Sequence, residues 1–426
     1  MTDRGSQDVP SLRDAQWLKA PELQAVMQAL EADGEARVAG GAVRDALLGR
    51  PVSDVDVATD LTPDDVMRVL GDAGIKTIPT GIDHGTVTAV VGAGAAAATY
   101  EVTTLRVDVE TFGRHAKVAF TDDWQADAGR RDFTMNALYC DRHGRILDPL
   151  GGYPDLIARR VRFAGNPSAR IEEDYLRILR FFRFHAVFGG VETDAEGLAA
   201  CAAHRGGLDQ LSGERINQEL FRLLPAPGAV EVVEVMADAG ILEHVVPTAA
   251  DVPRFVALCA IEAACGRGPD GLLRLAALGL HGPQDVVRLR ERLVLTNAQT
   301  ARLERIAAPA MALDAAMPDT ARREALYRLG PDGYGDAVLF TWAASDAAPD
   351  DRHWQALLRL PEQWSAPALP LSGGDLVARG IEAGPRVGEI LRAFERWWID
   401  RGFPQDADTV ESGLALMLER ENGPGA

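Results

Sequence analysis

Every stretch of this chain with the two-residue alternation of a β-strand lies within its first 150 residues or so. Ser53–Thr59 (SDVDVAT), Gly85–Gly92 (GTVTAVVG) and Ala98–Asp108 (ATYEVTTLRVD) read as strands, and Ala36–Ala39 is a short apolar run of the same kind. Between them stand helical signals. Ser11–Gly34 carries apolar residues at helical spacing, VRDALLG ends a helix at Gly49, and Thr62 with Pro63 caps another. From Glu172 onward the spacing is helical almost throughout, interrupted at PAPG, GRGPDG and GPDGYG. Such a chain folds as α+β, with a mixed head followed by helical domains. At 426 residues it exceeds one ordinary core. The pattern divides it into a mixed segment, 1–150, and helical segments, 151–250 and 251–426, with Arg359–Gly374 as a late linker. GAGAAAAT at Gly92–Thr99 is expected to be a turn between strands.

The formal charge of −19 argues against a broad nucleic-acid surface. Locally the balance reverses, since Arg130–Arg183 holds eleven arginines against seven acids and could offer an anion a basic lane. The four cysteines, Cys140, Cys201, Cys259 and Cys265, have no CxxC spacing, which points to a reducing, cytoplasmic setting. No stretch is apolar enough for a membrane span.

The chemistry concentrates in GGAVRDALLGRPVSDVDVATD, Gly40–Asp60. Residues two apart on a strand share a face, so Asp54 and Asp56 present both carboxylates to one side. Mg²⁺ takes such a pair and completes its shell with water and substrate phosphate; two solvated carboxylates on a strand edge would look the same. The upstream turn adds weight to the first reading, because Gly40 and Gly41 let backbone approach a phosphate and Arg44 adds charge. Glu101, on a later strand, is a candidate third carboxylate.

Glu172–Gly189 (EEDYLRILRFFRFHAVFG) reads as one helix, mostly buried, with Asp174, Arg177, Arg180 and Arg183 at steps of three. That stripe is either a solvated ion-pair ladder or the lining of a cleft. In a cleft, Asp only accepts and Arg only donates hydrogen bonds, so the pair matches the edge shared by cytosine and adenine and mismatches uracil and guanine. RRDFTMNAL, Arg130–Leu138, would alone read equally as a charged loop entering a core strand; lying between the two features, it suits a triphosphate and ribose clamp.

In this order the motifs resemble those of the class II tRNA nucleotidyltransferase and bacterial poly(A) polymerase family. GGAVRDALLGRPVSDVD is similar to its metal and triphosphate motif, RRDFTMNAL to its ribose motif, DPLGGYPDL (Asp148–Leu156) to its hinge, and EEDYLRILRFFR to its base-templating helix. SGERINQEL (Ser212–Leu220) resembles its neck-stabilising motif. The resemblance implies a polymerase-β-like nucleotidyltransferase head, with catalytic Asp54, Asp56 and Glu101 and Mg²⁺ on Asp54 and Asp56. It implies nucleotide binding by Gly41, Arg44, Arg131, Asp132, Glu173, Asp174, Arg177, Arg180 and Arg183. The implied reaction adds CCA to a tRNA lacking part or all of its 3′ CCA, from CTP and ATP, with neither membrane nor protein partner. A poly(A) polymerase, an enzyme adding only A or only CC, and a non-catalytic RNA binder are the alternatives. TGIDHGTVTAV (Thr80–Val90) looks like the CCA-adding branch, and Arg106–Gly129 is long enough for the flexible loop said to be missing from CC-only enzymes. The chain has no His-Asp dipeptide for the phosphohydrolase domain of some relatives, and Leu371–Trp398 resembles the family's tRNA-contacting tail.

Overall fold

Among the described residues, all strands lie between Ala36 and Leu147, and regular structure from Gly152 onward is helical. The α+β organisation expected from the sequence is therefore present. The structure is a computed structural model that describes residues 9–94, 97–112, 115–308 and 313–422. The strands are β1 (Ala36–Ala39), β2 (Asp56–Thr59), β3 (Lys76–Gly81), β4 (Thr86–Val91), β5 (Ala98–Thr104), β6 (Arg106–Phe112), β7 (His115–Phe120), β8 (Tyr139–Cys140) and β9 (Ile146–Leu147). Seven of them form a sheet in the order β3-β4-β5-β2-β1-β8-β9, and β6 and β7 make a separate ribbon. Within the sheet only β2 and β5 run parallel, with Asp56 beside Glu101. On the other side of β2, Asp56 pairs with Ala39, the residue before the double glycine.

Alternation fixes which face is covered. Val38, Val57, Val87 and Val102 are buried, and α1 (Pro21–Leu30) and α3 (Pro63–Asp72) contribute Leu23, Val26, Met27, Val66 and Leu70 to the head's interior. Each such side chain contributes about 1.5–3 kcal/mol on burial. Between them, α2 (Gly41–Leu47) follows the double glycine. Thr62 caps α3 as expected, its hydroxyl accepting from the Asp65 N–H at 3.3 Å.

Several expectations need correction. The first helix is shorter than Ser11–Gly34, because Pro21 starts it and Ser11–Arg13 turn back against Gly144, with the Leu12 N–H on the Gly144 carbonyl at 2.8 Å. ATYEVTTLRVD is not one strand: it divides at Leu105 into β5 and β6. Arg106–Gly129, the segment long enough for the family's flexible loop, holds β6, β7 and α4 (Trp124–Gly129), residues 113–114 lying outside the described residues. The expected Gly92–Thr99 turn includes residues 95–96, also outside the described residues.

Glu172–Gly189 is not one helix either. After α5 (Gly152–Ile157), α6 (Pro167–Glu173) ends at Asp174, whose backbone is extended (φ −157°, ψ 106°), and α7 (Leu176–Phe188) starts anew. Phe181, Phe182 and Phe184 of α7 are buried, and Phe181 stacks on Phe163 at 5.4 Å between ring centres. α8 (Ala195–Ala203), α9 (Gly213–Leu223) and α10 (Ala229–Asp238) complete this helical region, with α9 and α10 against α7.

The chain separates into two compact units, Met1–Ala250 with Arg292–Val294, and Asp251–Glu291 with Leu295–Ala426. In the second, Arg302 joins Asp270 (2.6 Å) to Asp336 (2.7 Å). GPDGYG interrupts the helical run as expected: Gly330, φ 69° and ψ 169°, is non-helical and separates two helices within Asp319–Ala343. Near the end of the chain, Leu376, Ile390, Phe394 and Trp398 form a buried cluster, so Trp398 serves the core. Among the described residues no helix is long and apolar enough to cross a membrane.

Candidate active site

The first unit brings two side-chain clusters to neighbouring ends of the head strands. β1 delivers Gly40 with φ 70° and ψ −120°, a backbone that side chains resist, and a Cβ there would also stand 3.1 Å from Arg131 Nη1. The turn starts α2 and sets Arg44 against the neck. The Arg44 guanidinium donates to both Asp45 carboxylate oxygens at 2.9 Å and to Asn136 Oδ1 at 2.6 Å, and lies 4.2 Å from the Phe188 ring centre.

Beside this turn a cavity of about 540 Å³ is lined by Ser53, Asp54, Asp56 and Glu101, with Trp17 and Tyr100. The strand expected over Ser53–Thr59 starts only at Asp56, so Asp54 lies before β2 and shares a cavity, not a strand face, with Asp56. Burial, then the charge of Glu101, and to a lesser degree that of Asp54, push the Asp56 carboxyl above its usual range against the pull of Arg131. Crowded carboxylates of this kind are the hard oxygen donors that a divalent cation neutralises. Among the described residues no three or more His, Cys, Asp or Glu side chains form a ready-made metal cluster. Asp54, Asp56 and Glu101 are oxygen donors of the kind that an ion such as Mg²⁺, which keeps water and substrate oxygens in its shell, would take.

A second cavity, about 480 Å³, is lined by Gly40, Gly41, Arg44, Arg131, Asp132, Asn136, Asp174, Arg177, Arg180 and Arg215, among others. All four nucleotide-binding candidates among the arginines of this cavity are held by acids, Arg44 by Asp45 as described above. Arg131 reaches the Tyr139 hydroxyl oxygen (3.1 Å) and Asp127 (3.3 Å). Asp127 is 1% exposed and also takes hydrogen bonds from Tyr139 (2.7 Å) and Arg130 (2.7 Å). Arg180 donates to Asp132, whose other oxygen accepts from Asn136 and the Phe133 N–H, each at 2.8 Å. Burial opposes ionisation of Asp132, but Arg180 and these hydrogen bonds outweigh it and hold the carboxyl below its usual range. Arg177 donates to Glu173 (2.5 Å) and to the Arg170 carbonyl (2.8 Å).

Known proteins resemble this chain in sequence and fold. The model of the "Poly A polymerase head domain" matches residues 36–162, and that of the "Probable RNA and SrmB- binding site of polymerase A" matches 190–252. A Mus musculus protein named CCA tRNA nucleotidyltransferase 1, mitochondrial, is 35% identical over 403 residues, 89% of this chain and 86% of that protein. The chain belongs to the tRNA nucleotidyltransferase and poly(A) polymerase family. A CCA-adding enzyme of Geobacillus kaustophilus is another member, 33% identical over 95% of this chain and 98% of its own. The crystal structure of the Bacillus stearothermophilus CCA-adding enzyme in complex with CTP superposes with a TM-score of 0.70 at 28% identity, covering 95% of this chain and 98% of that one.

Within this family member, Gly41, Arg44, Arg131, Asp132, Asp174, Arg177 and Arg180 line one cavity, and Asp54, Asp56 and Glu101 line the other. Glu173 stands outside both, facing a neighbouring cavity of about 750 Å³ while it pairs with Arg170 and Arg177. Arg183 also stands apart, its guanidinium on Glu219 at 2.5 Å. The sequence reading missed groups that hold the candidate side chains: Asp127, Asn136, Tyr139 and Glu219 on arginines, and Arg215 on Asp174. Asn136 lies inside RRDFTMNAL, four residues after Asp132, and that spacing was its one visible signal. Asp127 and Tyr139 had none, because their contacts depend on the fold.

Proposed function

We propose that this protein adds CCA to the 3′ end of tRNA without a nucleic-acid template, using CTP and then ATP. The observation that carries the reading is the meeting of Asp174 and Arg177 with Arg44 and Arg131 in one cavity, since an acceptor–donor pair for a base lies beside charges for a triphosphate. The mouse and Geobacillus relatives are named for this activity. The first 150 residues act as the catalytic head, 151–250 as the base-reading neck, and 251–426 as body and tail that take the tRNA.

In the reaction the tRNA 3′-hydroxyl oxygen attacks the α-phosphorus of the nucleotide, the bond to the β-phosphate oxygen breaks, and pyrophosphate leaves. Arg44, Arg131 and the Gly40–Gly41 backbone hold the triphosphate so that attacking and leaving oxygens are in line. Asp132 fixes Arg180 and Asn136 around the nucleotide, and Asn136 in turn fixes Arg44. Asp54 and Asp56, with Glu101 beside them, would hold Mg²⁺, which supplies charge stabilisation at the transferring phosphoryl group. Asp174 accepts from the base amino group while Arg177 donates to the ring nitrogen, an edge shared by cytosine and adenine. The free, buried thiols of Cys140 and Cys201 suit a reducing setting such as the cytoplasm.

The test supplies each nucleoside triphosphate singly to a tRNA transcript lacking CCA. Incorporation of C, and of A onto a CC end, with rejection of U and G, is the expected result. A long A ladder from ATP alone would instead establish the poly(A) reading.

A further inference from the structure

The neck motif SGERINQEL becomes the start of α9, and two of its charged residues, one helical turn apart, face the base-reading segment. Arg215 grips Asp174 with its fork, Nη1 to Oδ1 at 3.0 Å and Nη2 to Oδ2 at 2.6 Å. Glu219 takes Arg183 and lies 3.7 Å from Arg180. The charges are crossed, with a cation on the template's acid and an acid on its cations. Arg215 also lines the nucleotide cavity together with Asp174.

Asp174 needs such a partner. It sits at the break between α6 and α7 on extended backbone, so no helical turn restricts its side chain. A carboxylate offers about four acceptor positions. Two on Oδ1 are taken by Arg215 and by the Leu176 N–H at 3.1 Å, and one on Oδ2 is taken by Arg215. One acceptor direction on Oδ2 is left for a further donor.

We propose that Arg215 is a specificity-determining positioning residue, which clamps Asp174 so that its one remaining acceptor direction receives a base amino group. A cytosine or adenine amino group satisfies that direction. The carbonyl oxygen of uracil or guanine meets a second acceptor there and is rejected. Without the fork, Asp174 turns away or takes water between itself and the base, and the penalty against a carbonyl fades. A lysine in its place holds one oxygen at a time and restores the orientation only in part. This role rests on the reading of Asp174 as a base reader.

The experiment measures kcat/KM for CTP and for UTP on a tRNA lacking CCA, in the wild-type full chain, Arg215→Ala, Arg215→Lys, Asp174→Ala and the double Ala variant. Arg215→Ala is expected to narrow the CTP:UTP ratio by about tenfold, or about 1.4 kcal/mol, mainly through a higher KM for CTP. Arg215→Lys should fall between it and wild type. The double variant should be no less selective than Asp174→Ala, since Arg215 acts through that residue. An unchanged ratio in both Arg215 variants, even with turnover reduced, overturns the proposal and leaves Arg215 a structural residue. Losses that multiply in the double variant overturn it as well. Should Arg215→Ala fail to melt cooperatively, the ratio for Arg215→Lys decides alone. If Asp174→Ala keeps the wild-type ratio, base reading itself fails; if it narrows the ratio while the Arg215 variants do not, only the role of Arg215 fails.

Discussion

The Asp56 carboxyl is partly desolvated and sits among like charges, with Glu101 beside it across the parallel pairing and Asp54 just upstream, against one nearby guanidinium. Its carboxyl therefore holds a proton to higher pH in the folded chain than in the unfolded one. Between those two values the folded state binds more protons, so this residue costs stability as pH rises. In metal-free protein, Asp56→Asn should raise the melting midpoint near neutral pH, and the gain should shrink as pH falls toward the ordinary carboxylate value of 3.8. A gain that does not depend on pH would contradict the crowding. Added Mg²⁺ should raise the wild-type midpoint more than that of the variant, because binding to the folded state alone stabilises it. Asp54→Ala should slow nucleotide addition by about two to three orders of magnitude while tRNA affinity, measured by filter binding, stays unchanged. Equal loss of both would contradict a purely catalytic role.

The elements show what the sequence could disclose. The double glycine, the aspartate pair and the capped α3 were legible because each is decided by neighbours in the chain. The break at Asp174 was not. Nothing in EEDYLRILRF stops a helix locally; α6 ends there while Asp174 is held by Arg215, forty-one residues on, and the Tyr175 ring takes space that Gly207 leaves open. A Cβ at Gly207 would come within 2.0 Å of that ring. The stripe read as Asp174, Arg177, Arg180 and Arg183 on one helix is thus a residue at a break followed by three on α7, and their partners come from other elements. Glu219, 4% exposed, is the one that serves Arg183 and Arg180. Removing one side of a buried pair strands the other charge, so Glu219→Ala should cost about 3–5 kcal/mol in urea unfolding. A loss below about 1 kcal/mol, as for a surface pair, would contradict that placement.

At the scale of the molecule, counting charges along the sequence overstated the basic lane. Of the eleven arginines between Arg130 and Arg183, ten form ion pairs, some with acids outside that stretch such as Glu31, Asp127 and Glu219. Much of the local excess is neutralised by ion pairs within the fold. That fits a chain with a formal charge of −19, which must meet RNA along a limited path. Template-free addition of a defined triplet is the central claim, and product length tests it most directly. The purified protein, Mg²⁺, CTP and ATP are incubated with a tRNA transcript ending before its CCA, and the products are resolved at single-nucleotide length. A stop at three added residues that requires both nucleotides is the predicted result; an open-ended ladder, or no extension of a transcript that still binds, would contradict it.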